Sequence, residues 1–216
     1  MDFEFEDIRA ALQNPLPGKA AHLEMAPGSR IESLLVETPE QIIHARRAAV
    51  LILLYPVNEK VFTVLIKRPV YDGVHSGQIA FPGGRYEPED RNLTETALRE
   101  AEEETGIDRN EVNVLGILSE LYIPPSNFLI LPVVGYMNRK PDFKIQVSEV
   151  AGLLHTPLSD LFDERIRSVI PVNNGDLSFQ APSYLLDQEV IWGATAMVIN
   201  EFYQVISKGR NAVQTS

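Results

Sequence analysis

From Gly83 to Ile107 the chain reads GGRYEPEDRNLTETALREAEEETGI, and four of the five residues Glu100 to Glu104 are glutamates with no cation among them. Like charges at helical spacing repel by about 0.2–0.5 kcal/mol per pair. Near a helix C-terminus they also oppose the negative end of the macrodipole. At about 100° per residue, Glu100, Glu103 and Glu104 share one arc, while Ala97, Leu98, Ala101 and Thr105 cover the adjacent inner side and Glu102 points elsewhere. Convergent carboxylates call for a proton or a hard cation, and repulsion without compensation among its neighbours predicts that the cation comes from outside the chain. Mg²⁺ suits such a site because it takes oxygen ligands, keeps several waters and is shared with substrate phosphates. A solvated acidic face is the simpler alternative. FPGG (Phe81–Gly84) just before the helix favours a metal–phosphate site, since paired glycines let the backbone approach a ligand closely. A di-iron centre would need Glu-x-x-His pairs, which the sequence lacks.

These side chains require a helix with firm ends. Asn92 is the expected N-cap, with Glu95 completing a capping box, and Gly106 the expected left-handed terminator with Ile107 as its apolar contact. Arg99, four residues before Glu103, can brace it. AAVLILLY (Ala48–Tyr55) and VFTVLIKR (Val61–Arg68) are expected as strands of a hairpin turning at PVNEK. Residues 112–123, 128–137 and IRSVIPV also read as strands, PLSDLF as a short helix, and residues 190–206 as an amphipathic closing helix. Phe5, Ile8 and Leu12 mark an N-terminal helix ended by NPLPG. The domain reading is a helix and extended arm over residues 1–30, then a single domain over 31–216. Helices and strands interleave without a regular βαβ rhythm, which predicts an α/β fold with a mixed sheet covered on both faces.

Nineteen basic against 30 acidic residues give a net charge of −11. That balance argues against nucleic-acid or anionic-membrane partners, both of which need a positive field. A polyanionic small substrate remains compatible if a metal ion mediates. The absence of cysteine excludes disulfides, thiolate zinc sites and cysteine nucleophiles. The acidic N-terminus lacks a signal-peptide layout, and the longest apolar run is too short to span a bilayer, so a cytoplasmic location is the expectation.

The helix and its loop resemble the signature of the Nudix hydrolases: Gly, five residues, Glu, seven residues, then Arg-Glu-apolar-x-Glu-Glu-x-Gly-apolar. Arg99, Glu100, Ala101, Glu103, Glu104, Gly106 and Ile107 match its second half. In the first half Gly84 is followed by Asp90, with eight residues before Arg99, a departure similar to that of the coenzyme A pyrophosphatase subgroup. That subgroup also carries Leu-Leu-Thr-x-Arg-Ser, an Arg, and Gly-x3-Phe-Pro-Gly-Gly upstream. Leu65, Arg68, Gly77 and Phe81–Gly84 fit this motif, while Ile66, Pro69 and Gly73 replace its Thr, Ser and second Arg.

The resemblance implies the Nudix α/β/α sandwich, Mg²⁺ or Mn²⁺ in the box, and hydrolysis of a small-molecule nucleoside diphosphate linked to another group. By carry-over, Glu100 and Glu104 are metal ligands, Glu103 a further ligand or the base, and Arg99 the residue that orients the carboxylates. Gly83 and Gly84 place the loop against substrate. Arg68 and Arg85 are candidate phosphate binders, with Arg46 a weaker one, and Glu149 or Glu120 a distal ligand or base. His75 lies near the presumed cleft, and Trp192 is expected in the core. Three readings follow: a diphosphatase of coenzyme A or acyl-coenzyme A, a Nudix enzyme for another dinucleotide such as ADP-ribose or NADH, and a non-catalytic ligand-sensing module.

Overall fold

The computed structural model describes residues 4–36, 38–70, 76–174 and 177–214. In chain order its elements are α1 (Phe5–Leu12), α2 (Lys19–Glu24), α3 (Gly28–Leu35), α4 (Pro39–Ile43), β1 (Arg46–Val57), β2 (Lys60–Lys67), β3 (Ile79–Ala80) and β4 (Gly83–Arg85). There follow α5 (Leu93–Thr105), β5 (Asn113–Ile117), β6 (Leu121–Ile123), β7 (Phe128–Tyr136), β8 (Gly152–Pro157), α6 (Leu158–Leu161), β9 (Arg167–Asn174), β10 (Leu177–Leu186), β11 (Glu189–Trp192) and α7 (Ala194–Gln214).

The unbroken apolar run of β1 is explained by its position, because it is covered on both faces. Ala49, Leu51, Leu53 and Tyr55 pack with Ala97 and Ala101 of α5. Ile52 and Leu54 point the other way, into a cluster with Val198, Ile199 and Phe202 of α7. The period of two along the strand thus divides one sequence between two cores. β1 lies parallel to β7 and antiparallel to β2. Asn58 and Glu59, at φ 47° and 65°, form the turn between β1 and β2, as the left-handed conformation of a two-residue hairpin requires. Among the described residues the mixed sheet holds eight strands, and β9, β10 and β11 form a separate three-stranded antiparallel sheet. This is the expected mixed sheet between helices.

β1 and β2 pair only near their turn, Leu54–Val57 with Lys60–Thr63. Beyond it they part. β2 then takes β3 as its neighbour and β1 takes β4, so the Phe81–Pro82 link sits in a wedge inside the sheet. The Leu51 N–H donates to the Pro82 carbonyl at 2.8 Å and fixes that link.

The extended arm expected up to residue 30 is instead helical. The prolines and glycines at Pro15, Pro17, Gly18, Pro27 and Gly28 suggested irregular chain, but they separate helices: Gly18, at φ 54°, precedes α2 and Pro27 precedes α3. Tertiary contacts hold these short helices. Ala21 and His22 are buried, and Asn200 of α7 donates to the Ala21 carbonyl at 2.8 Å and to Glu24 at 3.0 Å. Glu201, with no exposed surface, accepts from the Gly18 N–H at 3.1 Å and the Ser119 N–H at 3.2 Å, and its other oxygen meets His22 Nε2 at 2.8 Å. The closing helix begins at Ala194, because Val190–Trp192 belong to β11.

Candidate active site

Gly83 and Gly84 have different tasks. At φ 152° Gly83 occupies backbone space closed to other residues, and a Cβ there would lie 2.3 Å from the Ala49 carbonyl oxygen. Its N–H donates to Glu104 Oε2 at 2.8 Å. A Cβ on Gly84 would lie 2.3 Å from Glu100 Oε2, so the carboxylate fills the volume that the glycine leaves free. The wedge that fixes this loop therefore also aims Glu100 and Glu104.

The supporting helix α5 starts at Asn92, whose side chain accepts from the Glu95 N–H at 3.0 Å. The reciprocal half of the expected capping box does not form, because the Glu95 carboxylate turns to the N–H and guanidinium of Arg91, each at 2.8 Å. Gly106 ends the helix at φ 72°. Past it, the Lys144 N–H donates to the Thr105 carbonyl at 2.8 Å and the Gln146 N–H to the Glu104 carbonyl at 3.1 Å. These bonds satisfy helix-end carbonyls and bring the segment bearing Glu149 against the acidic end of α5.

Arg99 is the hub. Nε and Nη2 reach the two oxygens of Asp90 at 2.8 and 3.0 Å, Nη1 reaches Glu100 at 3.0 Å and Glu103 at 3.1 Å, and Nη2 also donates to the Arg85 carbonyl at 3.0 Å. Asp90 is 4% exposed and also accepts from Thr96 Oγ1 at 2.8 Å and the Glu87 N–H at 3.1 Å. The hydrogen bonds from Arg99, chief among these, hold its carboxyl well below the usual carboxylate range. Asp90 is thus an anchor for the residue that arranges the glutamates, a role its sequence reading missed. Its place nine residues before Arg99 was the available signal.

The repulsion read from sequence is therefore compensated in part from within the chain. Arg99 answers Glu100 and Glu103, and Arg109 answers Glu102 with an ion pair at 3.4 Å and its own N–H at 3.2 Å. Among the described residues the Glu104 carboxylate accepts a hydrogen bond from the Gly83 N–H alone, and burial pushes its carboxyl up to about 7 against the opposing effects of that N–H and of Arg68. Burial also raises Glu100, with Arg99 acting against it. Two desolvated carboxylates sharing a wall, neither fully neutralised, are oxygen donors suited to a hard divalent cation. Among the described residues no three acidic, histidine or cysteine side chains close into a ready-made metal cage, and a Mg²⁺ that keeps waters and substrate oxygens requires none.

A cavity of about 1210 Å³ opens at this wall, lined by Glu100, Glu104 and Glu149, by Gly83 and Gly84, and by Arg68 and Arg85. Its volume exceeds that of typical small-ligand pockets, which reach about 1,000 Å³. Glu103 is half exposed, bound to Arg99 and absent from the lining. Glu120 is paired with Arg47 away from the cavity. Arg46 donates to the Ser126 carbonyl and stacks on Phe128. His75 and Gly73 lie outside the described residues. Trp192, expected in the core, instead lines the cavity, with its ring edge-on to Phe179 at 6.2 Å. Arg30, expected on the arm, lines it too.

The NUDIX domain family model matches residues 45–150. The Nudix hydrolase NudL of Photorhabdus laumondii is 31% identical over 178 residues, covering 82% of this chain and 95% of that protein. The chain belongs to the Nudix hydrolase family. NudL of Yersinia pestis is 35% identical over 162 residues, 75% of this chain and 80% of that protein. A MutT/nudix family protein from Enterococcus faecalis shares the fold, with TM-score 0.52 and 15% identity over 88% of this chain and 73% of that one. The α/β sandwich is thus the Nudix fold, and the chain is a Nudix hydrolase rather than a non-catalytic module. Among the described residues no helix is long and apolar enough to cross a membrane.

Proposed function

We propose that this Nudix hydrolase cleaves the diphosphate of coenzyme A or acyl-coenzyme A, giving 3′-phospho-AMP and 4′-phosphopantetheine or its acyl form, with Mg²⁺ or Mn²⁺ in the cytoplasm. The observation that carries this reading is the cavity, which sets Glu100, Glu104 and Glu149 near Arg68 and Arg85 and continues to an apolar side with Phe81, Phe128 and Trp192. A diphosphate joined to a nucleoside at one end and a long, partly apolar arm at the other matches both parts. The subgroup-like Asp90, Arg68, Gly77 and FPGG agree with it.

Glu100 and Glu104 are the metal-holding residues in this assignment. A bound divalent ion supplies neutralisation of the diphosphate and acidifies a water. Arg99, tied to Asp90, keeps the Glu100 carboxylate pointed across Gly84, and the Gly83 N–H does the same for Glu104. Glu149, exposed on the cavity wall, is assigned as the base that takes the proton of the attacking water. Glu103, engaged by Arg99, is assigned a positioning role in place of the ligand or base expected from sequence. Arg68 and Arg85 hold phosphate oxygens with paired, charge-assisted hydrogen bonds. Attack at one phosphorus breaks the anhydride bond, and the second phosphate leaves with its oxygen.

The replacements at Ile66, Pro69 and Gly73 favour one second reading, a Nudix diphosphatase for another dinucleotide such as ADP-ribose or NADH. Steady-state assays on coenzyme A, its 3′-dephospho form and ADP-ribose, with products read by mass spectrometry, separate the two. Coenzyme A is expected to be turned over at least about tenfold more efficiently than the dephospho form. Equal efficiencies, or a clear preference for ADP-ribose, would overturn the first reading. EDTA should abolish hydrolysis and added Mg²⁺ or Mn²⁺ restore it.

A further inference from the structure

Arg30 sits on α3 (Gly28–Leu35), a helix that packs against β10 of the small sheet, and lines the cavity that Glu100 and Glu104 enter from α5. Its side chain is partly buried, yet none of the ion pairs or side-chain hydrogen bonds among the described residues involves its guanidinium. Two other partly buried or buried charges of the lining do have partners: Glu104 has the Gly83 N–H, and Glu100 has Arg99. Burial lowers the Arg30 pKa. Withdrawing a guanidinium from water without an anion is costly. In a chain of 30 acidic residues, a merely structural arginine had many carboxylates to pair with.

We propose that Arg30 is a specificity-determining residue. It receives an anionic group, of the phosphate monoester class, carried by the part of the substrate remote from the bond that is cleaved. The remoteness follows from the elements: cleavage belongs to the α5 wall, whereas α3 reaches the cavity from the side of the small sheet. Arg68, which acts electrostatically on Glu104, belongs to the diphosphate end. The proposal also supplies the basic group missing where Gly73 replaces the subgroup's second arginine, but from a different part of the chain. It rests on the coenzyme A reading only for the choice of substrate, since the 3′-phosphate of coenzyme A is such a monoester.

The test compares the wild-type protein with Arg30→Ala and Arg30→Lys. Binding of adenosine 3′,5′-bisphosphate and of AMP is measured by calorimetry in EDTA, and kcat/KM is measured on coenzyme A and 3′-dephospho-coenzyme A with metal. Arg30→Ala should weaken bisphosphate binding at least about fivefold and AMP binding less than about twofold. It should lower kcat/KM on coenzyme A about tenfold through KM, with little change on the dephospho form. Arg30→Lys should recover part of each loss, and an unchanged melting temperature shows that the variants fold. Equal losses on both members of a pair, or no loss, would overturn the role of Arg30. A wild-type protein that does not distinguish bisphosphate from AMP would do the same. If coenzyme A is not a substrate but the bisphosphate preference disappears in Arg30→Ala, the proposed activity fails and the Arg30 site stands. If coenzyme A is cleaved with an unchanged substrate ratio in Arg30→Ala, the activity stands and the Arg30 site fails.

Discussion

The two walls of the cavity are built in opposite ways. On the α5 wall each charge is held: Asp90 fixes Arg99, Arg99 fixes Glu100 and Glu103, and the Gly83 N–H fixes Glu104. These holding contacts all lie between Gly83 and Glu104. Elsewhere in the lining, Arg30, Phe128 and Trp192 come from three distant segments, and the arginine has no partner among the described residues. The first wall is arranged in advance, as stabilisation of developing charge demands. Under the two proposals above, chemistry and selectivity are separable, and each is expected to be damaged without the other.

The largest expected effect is on the arranged wall. Glu104→Gln and Glu100→Gln should each lower kcat at least about a hundredfold while the protein stays folded, because a lost carboxylate would leave the divalent ion misplaced and the phosphoryl charge unneutralised. Circular dichroism and steady-state kinetics together check this. A folded Glu104→Gln protein with near wild-type turnover would remove the α5 wall from the mechanism.

The adjacent glycines sharpen the contrast. Gly84→Ala places its methyl group where the Glu100 carboxylate lies, and a side chain can swing aside, so activity should fall about tenfold or more with little change in melting temperature. Gly83→Ala drives a methyl group into the Ala49 carbonyl at an unfavourable φ, a backbone clash expected to cost more than about 3 kcal/mol of stability. Thermal denaturation of the pair distinguishes them, and equal loss of stability would contradict the division of roles.

Asp90→Asn tests the anchor. Removing one member of a buried ion pair costs about 3–5 kcal/mol, and urea denaturation should show a loss of that order at neutral pH. The sign with pH follows from the depressed carboxyl. Its stabilisation is present above the unfolded value of about 3.9 and is lost as pH falls toward the lower folded value. The gap between wild type and variant should therefore narrow below about pH 4, and a gap independent of pH would place the effect in shape rather than charge. The smallest effect is expected from Glu102→Gln, whose side chain serves the Arg109 turn. Less than about a twofold change in kcat/KM is predicted, and a loss matching that of Glu104→Gln would invert the reading of the helix faces.

How far the sequence carried these walls depended on the distance over which their determinants act. Asn92, Gly106 and the wheel position of Glu102 were legible because caps and helix periodicity are local. The strand character of Ala48–Tyr55 was legible because burial on both faces leaves an unbroken apolar run. The capping box failed at Glu95, where Arg91, a nearer cation, won its carboxylate. Helices α2 and α3 were hidden because their prolines and glycines suggest loops, whereas the surfaces that hold them lie on α7 and β10. Trp192 was assigned to the core by its bulk, but its position at the end of β11 turns it to the cavity. No local signal marks Arg30, since its place depends on how α3 docks.

The Glu201 carboxylate, buried at the centre of α7, ties the Gly18 amide, the Ser119 amide and His22 to one point. Those groups come from the segment between α1 and α2, from the segment between β5 and β6, and from α2. The departure of any one leaves a fully buried carboxylate short of a partner, so their openings are expected to be linked. The amide protons of Gly18 and Ser119 should exchange with solvent at a common, slow rate, as members of one cooperative unit, although 101 positions separate them along the chain.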